Sequence, residues 1–354
     1  MSEDSRTASI VVPTYNQSRK LARLLASLER LVNPETFEVV IVDDCSPDDT
    51  CAVVEAWIEK GLPFAARLLR LERNGGPGRA RNAGLREARG AIVAFTDSDC
   101  VVEPGWLEEL VRPVDLGKRI AGVAGKVKAL SEKSFLARYN IVNMSLEPQW
   151  TPTYQFERTY LVTCNCCYHR QTLLDAGGFP EDIRTPGGED IAASILLWKQ
   201  GWRYAYATDA VVFHDFESSL RRFIRTFRNY GYGTALVLHR MLVPEEFHPE
   251  WGKKDIENYW DAAGLSPSIT GIRSFFIDLI AFYRFGRHRK ISHARMLESI
   301  PWRIIERLSQ SYGWRQGERQ WRMETGQPAP GLLDALAQRS RLFARLRERM
   351  RSKG

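Results

Sequence analysis

Residues 8–44 read ASIVVPTYNQSRKLARLLASLERLVNPETFEVVIVDD, and their patterning decides the fold. Two strand-like runs, Ser9 to Val12 and Phe37 to Val42, bracket a stretch in which Leu21, Leu24, Leu25, Leu28 and Leu31 recur at helical spacing behind a candidate cap at Ser18. Ser46-Pro47-Asp48-Asp49 then opens a second helix with acidic residues at its positive end. Further strand-like runs follow at Ala65 to Leu71 and Ala91 to Phe95. Strand and helix in alternation predict parallel strands covered by helices, an α/β class.

In such sheets ligands settle beyond the carboxyl ends of the strands, so the residues ending each run carry the functional reading. Here those ends are Pro13-Thr14-Tyr15, Asp43-Asp44 and Asp97-Ser98-Asp99. If the strand geometry persisted through the last of these, two carboxylates one residue apart would emerge side by side, a pair able to hold a hard divalent cation. A capped strand end or a solvated turn is the plainer alternative for that triplet. Asp44 suits a contact to a base or to ribose hydroxyls, although capping of the helix after Ser46 explains it too.

Working outward, Asn74-Gly75-Gly76-Pro77-Gly78-Arg79-Ala80-Arg81-Asn82 is a glycine-rich loop leading into a helix, where Gly76 and Arg81 could approach a nucleotide closely. It matches neither the dinucleotide-binding G-x-G-x-x-G pattern nor the P-loop, which argues against a dehydrogenase or a P-loop kinase. Beyond Asp99 the alternation loosens. A short helix is expected near Pro104 to Leu110, strands at Ala121 to Val127 and Tyr160 to Cys167, a helix over Glu189 to Gln200, and an extended run over Trp202 to Phe213. Gly187-Gly188-Glu189-Asp190 places two acids at a helix start, where one could act as a general base and both could serve as caps. His214 ends the extended run and could complete a metal shell or contact phosphate.

Charge divides the 354 residues unevenly. Residues 216–354 hold 25 Lys/Arg against 14 Asp/Glu, and residues 1–215 hold 25 against 29. A basic, mainly helical C-terminal region can hold a chain near an anionic surface, or can simply present solvated faces. Leu332 to Met350 has the pattern of an amphipathic helix. The apolar run around Phe275 to Tyr283 is too short to span a bilayer, and the first residues lack a signal-peptide pattern. A cytoplasmic protein is expected, with peripheral contact at the inner face of a membrane open to the basic region. Cys164-Asn165-Cys166-Cys167 looks metal-like, but adjacent thiols on a strand point to opposite faces and no second cluster completes a zinc site, so buried free thiols are expected.

Taken in order, Ile10 to Asn16, Val39 to Ser46, Asn74 to Asn82, Asp97-Ser98-Asp99 and Gly188-Glu189-Asp190 resemble the motifs of family 2 glycosyltransferases over approximately Ala8 to Asp215. The resemblance implies a GT-A type fold with a mixed central sheet (residues 1–215), a nucleoside-diphosphate sugar donor with UDP-sugars favoured, inversion at the anomeric carbon, and a Mn2+ or Mg2+ cofactor. By the same resemblance Pro13, Tyr15 and Asp44 would line the base pocket, with Thr14 and Ser98 beside it. Arg81 and Asp97 would hold the nucleotide, Asp99 with Asp97 and His214 would bind metal, and Asp190, with Glu189 as the competing candidate, would be the base. Cys45 stands where the family commonly has Gly, and Thr163-Cys164-Asn165 replaces a Thr-Gly-Asn stretch. The Q-x-x-R-W motif of processive synthases is broken, since Gln316-Gly317-Glu318-Arg319 is followed by Gln320, so single addition to a hydroxyl acceptor is expected. Two rival readings are a nucleotide-sugar-binding or scaffold protein without transfer and a nucleotidyltransferase. The intact Asp99 and Asp190 disfavour the first, and Pro13-Thr14-Tyr15-Asn16 is not the Gly-rich, Arg-containing loop of the second. Nucleic acid is not an expected partner.

Overall fold

The computed structural model describes residues 8–143, 146, 160–216, 219–241, 279–280, 282–284 and 286–326. The first part alternates as the sequence predicts: β1 (Ala8–Thr14), α1 (Ser18–Leu28), β2 (Phe37–Asp43), α2 (Thr50–Ile58), β3 (Ala65–Arg70), α3 (Pro77–Glu87) and β4 (Ile92–Thr96). Next come β5 (Cys100–Val102), α4 (Trp106–Val111), β6 (Ile120–Ala129), α5 (Phe135–Asn143), β7 (Asn165–His169), α6 (Arg170–Asp175), α7 (Glu189–Lys199) and β8 (Arg203–His214). Two long helices, α8 (Leu220–Met241) and α9 (His293–Thr325), follow.

The eight strands form one mixed sheet in the order β3-β2-β1-β4-β7-β6-β8-β5. β1 to β4 are mutually parallel, β7 is antiparallel to β4 and β6, β8 runs parallel to β6, and short β5 closes the edge antiparallel to β8. The period of two explains which helices cover which face. Ile10, Val12, Val39 and Ile41 pack against Leu21, Leu24, Leu25 and Leu28 of α1, while Val11, Val40 and Val42 face Ala80 and Leu85 of α3 and Ala193 and Leu197 of α7. Each Val, Leu or Ile among them, fully buried, contributes roughly 1.5–3 kcal/mol. That double-sided burial fixes the register, because a one-residue slip would exchange the two faces.

The sequence expectations need three corrections. Ser18 is the first residue of α1 rather than its cap; the helix has no side-chain cap of its own, and the Ser18 amide instead donates to Asp48 Oδ2 at 3.2 Å, from the loop before α2. The strand expected over Tyr160 to Cys167 is β7, beginning only at Asn165; its antiparallel pairing reaches from Asn165 opposite Thr96 to His169 opposite Ile92. The third concerns Asp97-Ser98-Asp99, which is a turn and not the continuation of β4: the Cys100 amide donates to the Asp97 carbonyl at 3.0 Å.

Cys166 and Cys167 lie on opposite faces of β7, in separate apolar clusters, and the six cysteines are free thiols. Burial raises the thiol pKa of both residues. Cys45 adopts φ 64°, the left-handed conformation a glycine would take there without cost.

α8 and α9 pack along one another with backbones in near contact. A Cβ on Gly313 would lie 1.8 Å from the Arg228 carbonyl oxygen, and one on Gly231 would lie 2.1 Å from that of Gln310. No helix among the described residues is long and apolar enough to cross a membrane. The amphipathic stretch expected at Leu332 to Met350 lies outside the described residues, as does most of the run from Phe275 to Tyr283.

Candidate functional site

The carboxyl ends of the parallel strands carry the expected residues. β1 ends at Thr14, whose hydroxyl is buried and without a hydrogen-bond partner; Pro13 is half-buried and Tyr15 is exposed at 45%. β4 ends at Thr96, whose buried hydroxyl is likewise unpartnered, and so are Gln17 Oε1 and Arg81 Nε. Ser98 is buried in the turn that follows β4. Buried polar atoms left without partners cost free energy, so the Thr14 and Thr96 hydroxyls at the ends of neighbouring strands, with Gln17 before α1 and Arg81 on α3, are available to a polar ligand.

Asp44 shapes the loop beside them. Its two carboxylate oxygens accept from the backbone amides of Gly75 at 2.9 Å and Gly76 at 2.8 Å, so this buried side chain ties the end of β2 to the glycine-rich loop. Burial raises its pKa, and the two amide bonds oppose the rise. Gly76, at φ 88°, has no room for a side chain, since a Cβ would lie 2.3 Å from the Arg184 carbonyl oxygen. Pro77 then starts α3 in the first-turn position where proline is tolerated, and one turn on, Arg81 points into the site.

Arg81 links two distant parts of the chain. Its guanidinium donates to Asp97 Oδ1 at 2.9 Å and to Glu189 Oε1 at 2.8 Å, joining the turn after β4 to the start of α7. Burial works against its charge, but Asp97, Glu189 and Asp190 together hold it firmly protonated. Glu189 is almost fully buried, and its other oxygen accepts from the Gly187 amide at 2.8 Å. Both of its oxygens are therefore engaged.

Asp190 is the less constrained acid. Its Oδ1 accepts from the Ile191 amide at 2.8 Å, and the residue remains partly exposed. Its pKa is pushed up to about 7, first by burial and then by the neighbouring Glu189 carboxylate, with Arg81 pulling the other way. Tyr160 and Tyr230 border the same acid, and burial followed by the Asp190 charge raises both phenols.

Asp99 sits in a different field. Antiparallel pairing of β5 with β8 puts Cys100 opposite His214, and the Asp215 amide donates to the Asp99 carbonyl at 2.9 Å. The result is His214 Nε2 at 3.3 Å from Asp99 Oδ1, with Lys20 Nζ at 3.7 Å and an Arg222 guanidinium nitrogen at 3.9 Å from Oδ2. Asp215 completes the group: it accepts from Arg23 and lies 3.3 Å from Lys20 Nζ.

Among the described residues, Asp99, Cys100 and His214 form a cluster whose ligand atoms lie within 4.8 Å of one another. The Asp99 carboxylate suits Mn2+ or Mg2+ and the His214 imidazole adds a nitrogen donor more at home on a transition metal than on Mg2+, whereas Cys100 is buried and its raised thiol pKa keeps it protonated, a poor donor to a hard ion. His214 Nδ1 is buried and unpartnered, which leaves Nε2 as the atom aimed at Asp99. Asp97, expected in the same metal shell, stands outside this cluster because the turn directs it to Arg81.

Sequence reasoning missed Lys20, Arg23, Asp215, Arg222, Tyr160 and Tyr230. Lys20 and Arg23 are three apart on α1, one face of a helix, which was a readable signal. The others have no local motif; only the packing of α7, α8 and the edge strand brings them in.

Comparison with known proteins bears on the family and the fold. Residues 9–175 match the model described as Glycosyl transferase family 2. The chain is 33% identical over 215 residues to the poly(ribitol-phosphate) beta-N-acetylglucosaminyltransferase TarS of Staphylococcus aureus, over 58% of this chain and 35% of that protein. It is 30% identical over 299 residues to the pre-mycofactocin glycosyltransferase of Mycobacterium tuberculosis, over 83% of this chain and 60% of that protein. The chain thus spans only part of the length of these curated relatives. Among solved structures, the mannosyltransferase PcManGT from Pyrobaculum calidifontis, in complex with GDP-Man and Mn2+, matches with a TM-score of 0.57 at 18% identity, covering 88% of this chain and 86% of that one. The shared architecture is the GT-A type fold.

Proposed function

The chain belongs to glycosyl transferase family 2, and on that premise we propose that it transfers one sugar, with inversion, from a nucleoside-diphosphate sugar to a hydroxyl acceptor. The observation that carries the reading is the Asp190 carboxyl, partly exposed at the start of α7 beside a Glu189 whose two oxygens are held by Arg81 and the Gly187 amide; burial and the Glu189 charge raise its pKa to about 7. A base poised near the working pH both carries enough ionised form and takes a proton efficiently, and a sugar hydroxyl needs that help to become a nucleophile. Between the two adjacent acids the role goes to Asp190, because both Glu189 oxygens are already held by Arg81 and the Gly187 amide. Glu189 and Arg81 instead fix the start of α7.

The nucleotide is assigned to the carboxyl ends of β1, β2 and β4. Pro13, Thr14 and Tyr15 border it from β1, Gly76 allows the loop to approach, and Thr96, Ser98 and Arg81 offer polar groups from the other side. Asp44 contributes by holding the loop through Gly75 and Gly76. Asp97 orients Arg81. Asp99 and His214 are the residues to hold a divalent cation, which when bound supplies positive charge to the departing nucleoside diphosphate. We place this chemistry in residues 1–215, with residues 216–354 as a basic, mainly helical region.

A panel of sugar nucleotides, beginning with UDP-sugars, scored by thermal shift and by nucleoside-diphosphate release with Mn2+ or Mg2+, tests the reading. Sugars of one nucleotide should raise the melting temperature, since a ligand selective for the folded state stabilises it, and should be consumed. Binding without release would favour the rival, a nucleotide-sugar-binding protein that does not transfer; neither binding nor release would exclude both.

The basic region also supports contact with an anionic membrane surface. Leu308, Tyr312 and Met323 of α9 are exposed, at 58%, 57% and 74%. With 3.6 residues per turn they share a strip roughly 100° wide with the exposed Arg315, Arg319 and Arg322. Apolar and cationic side chains on one strip suit a headgroup layer. Co-sedimentation with vesicles containing anionic lipid should fall when Arg315, Arg319 and Arg322 are changed to Ser, and unchanged binding would remove the idea.

A further inference from the structure

The turn that carries the acids is built against the C-terminal helices. Gly187 and Gly188 have φ of 116° and 101°, conformations that need glycine, and their surroundings are α8. A Cβ on Gly187 would lie 2.7 Å from the Tyr230 ring, and one on Gly188 would lie 2.6 Å from the Gly233 backbone. From the other side a Cβ on Gly233 would lie 1.7 Å from the Gly187 carbonyl oxygen. α8 is pressed in turn on α9, where a Cβ on Gly313 would meet the Arg228 carbonyl and one on Gly317 would lie 2.6 Å from that of Tyr232. Turn, α8 and α9 are thus stacked backbone to backbone.

Apolar packing repeats the same order. Ile183, Ile191, Ala192 and Ile195 around α7, Ala235 and Val237 of α8 and Trp314 of α9 form one buried cluster. Ser194 strengthens the first layer, donating to the Asp190 carbonyl at 2.8 Å while accepting from the Leu161 amide at 3.0 Å.

We propose that the C-terminal helix pair is a working part of the site: Tyr230 and Gly233 of α8, braced from behind by α9, position the Gly187-Gly188 turn and with it Asp190. The inference rests on the reading of Asp190 as base. Tyr230 and Gly233 are positioning residues, acting through the turn. Close packing makes such a stack transmit small displacements, and an ångström at a reacting group can cost about a hundredfold in rate.

The test uses the full chain and four variants: Gly233→Ala at the contact, Gly313→Ala one layer behind it, Tyr230→Leu and Tyr230→Phe. Release of nucleoside diphosphate from the donor with Mn2+ gives kcat and KM across pH, and hydrogen exchange follows the amides of residues 187–191. The groups facing Asp190 that could shift its titration are Glu189, Arg81, Tyr160, Cys166, Tyr168 and Tyr230.

Gly233→Ala and Gly313→Ala should lower kcat at least tenfold with donor KM changed less than about threefold, move the acid limb of the pH profile, and speed exchange at residues 187–191. Tyr230→Leu should behave like them, whereas Tyr230→Phe, which keeps the ring, should stay within about threefold of wild type. A folded Gly313→Ala chain with wild-type kcat, pH profile and exchange overturns the proposal, and so does a lowered melting temperature with no other change. If the glycine variants do not fold, equal activity of the Leu and Phe variants overturns it. A wild-type chain that releases no nucleoside diphosphate sinks the transferase reading instead, and exchange at the turn still decides this one.

Discussion

Two carboxylates at the rim of the same sheet, Asp99 and Asp190, sit in opposite surroundings. Around Asp99 stand His214, Lys20 and Arg222, with Arg23 one step away through Asp215. Around Asp190 stand a second carboxylate and two phenols, with Arg81 the cation that offsets them. A cationic neighbourhood suits binding of a diphosphate, whereas burial beside another acid favours the protonated form and gives Asp190 a pKa useful in a base. Environment, not residue type, divides the labour.

The contrast is sharpest in Asp190→Asn. Transfer should fall by about 10²–10⁴, the usual contribution of a general base, with donor binding kept. In the wild type, activity should rise as pH climbs through about 7, because the base must be ionised. Stability should move the other way. The folded pKa of Asp190 lies above its unfolded value of 3.8, so between about pH 4 and 7 the folded state binds more protons and this group lowers stability as pH rises. The Asn variant should therefore match wild type in stability near pH 4 and exceed it at pH 8, measured by denaturant unfolding at both pH values. A variant that is both inactive and less stable at pH 8 would break the comparison.

Arg81→Met removes the cation shared by the turn after β4 and the start of α7. Breaking a buried ion pair by deleting one partner typically costs about 3–5 kcal/mol, so urea unfolding should show a large loss. A loss under about 1 kcal/mol would mean that the Asp97 and Glu189 contacts do not hold the site together.

On the other side, Asp99→Asn should leave the fold intact and raise the Mn2+ concentration for half-maximal nucleoside-diphosphate release by at least about tenfold, the lower end of what supporting groups at metal sites cost. An unchanged Mn2+ requirement would remove Asp99 and His214 from that role.

Much of this was legible before any coordinates. β1 to β4, the glycine-rich loop and the acids opening α7 stand out because local patterning and strand ends mark them. For Asp97-Ser98-Asp99 the sequence leaves an extended pair and a turn both open, and the turn is what forms, since one Cys100 amide bond to Asp97 turns the chain and no spacing records it. The same turn separates two acids that a continued strand would have set side by side. Arg222 and Tyr230 were not legible because they reach the site through long-range packing, from a helix whose pattern reads as ordinary amphipathic structure, and Asp215 because only the pairing of β5 with β8 brings it beside Asp99.

Cys45 shows the smaller scale at which sequence sufficed. Its position marks a turn where glycine is expected, and its φ of 64° bears that out. A non-glycine residue in the left-handed region costs roughly 1–2 kcal/mol, partly offset by the greater unfolded-state freedom of glycine, so Cys45→Gly should stabilise the chain by up to about 1 kcal/mol in thermal unfolding. A destabilised variant would show that the Cys45 thiol holds the turn, through its contact with the Glu72 carbonyl at 3.7 Å.

The division of labour between the two acids is tested most directly by calorimetric binding of UDP, with and without Mn2+, to the wild type, Asp99→Asn and Asp190→Asn. Asp190→Asn should bind UDP as wild type does, with the same gain from Mn2+, while Asp99→Asn should lose that gain. Loss of the Mn2+-dependent gain in Asp190→Asn, with Asp99→Asn unaffected, would contradict the account.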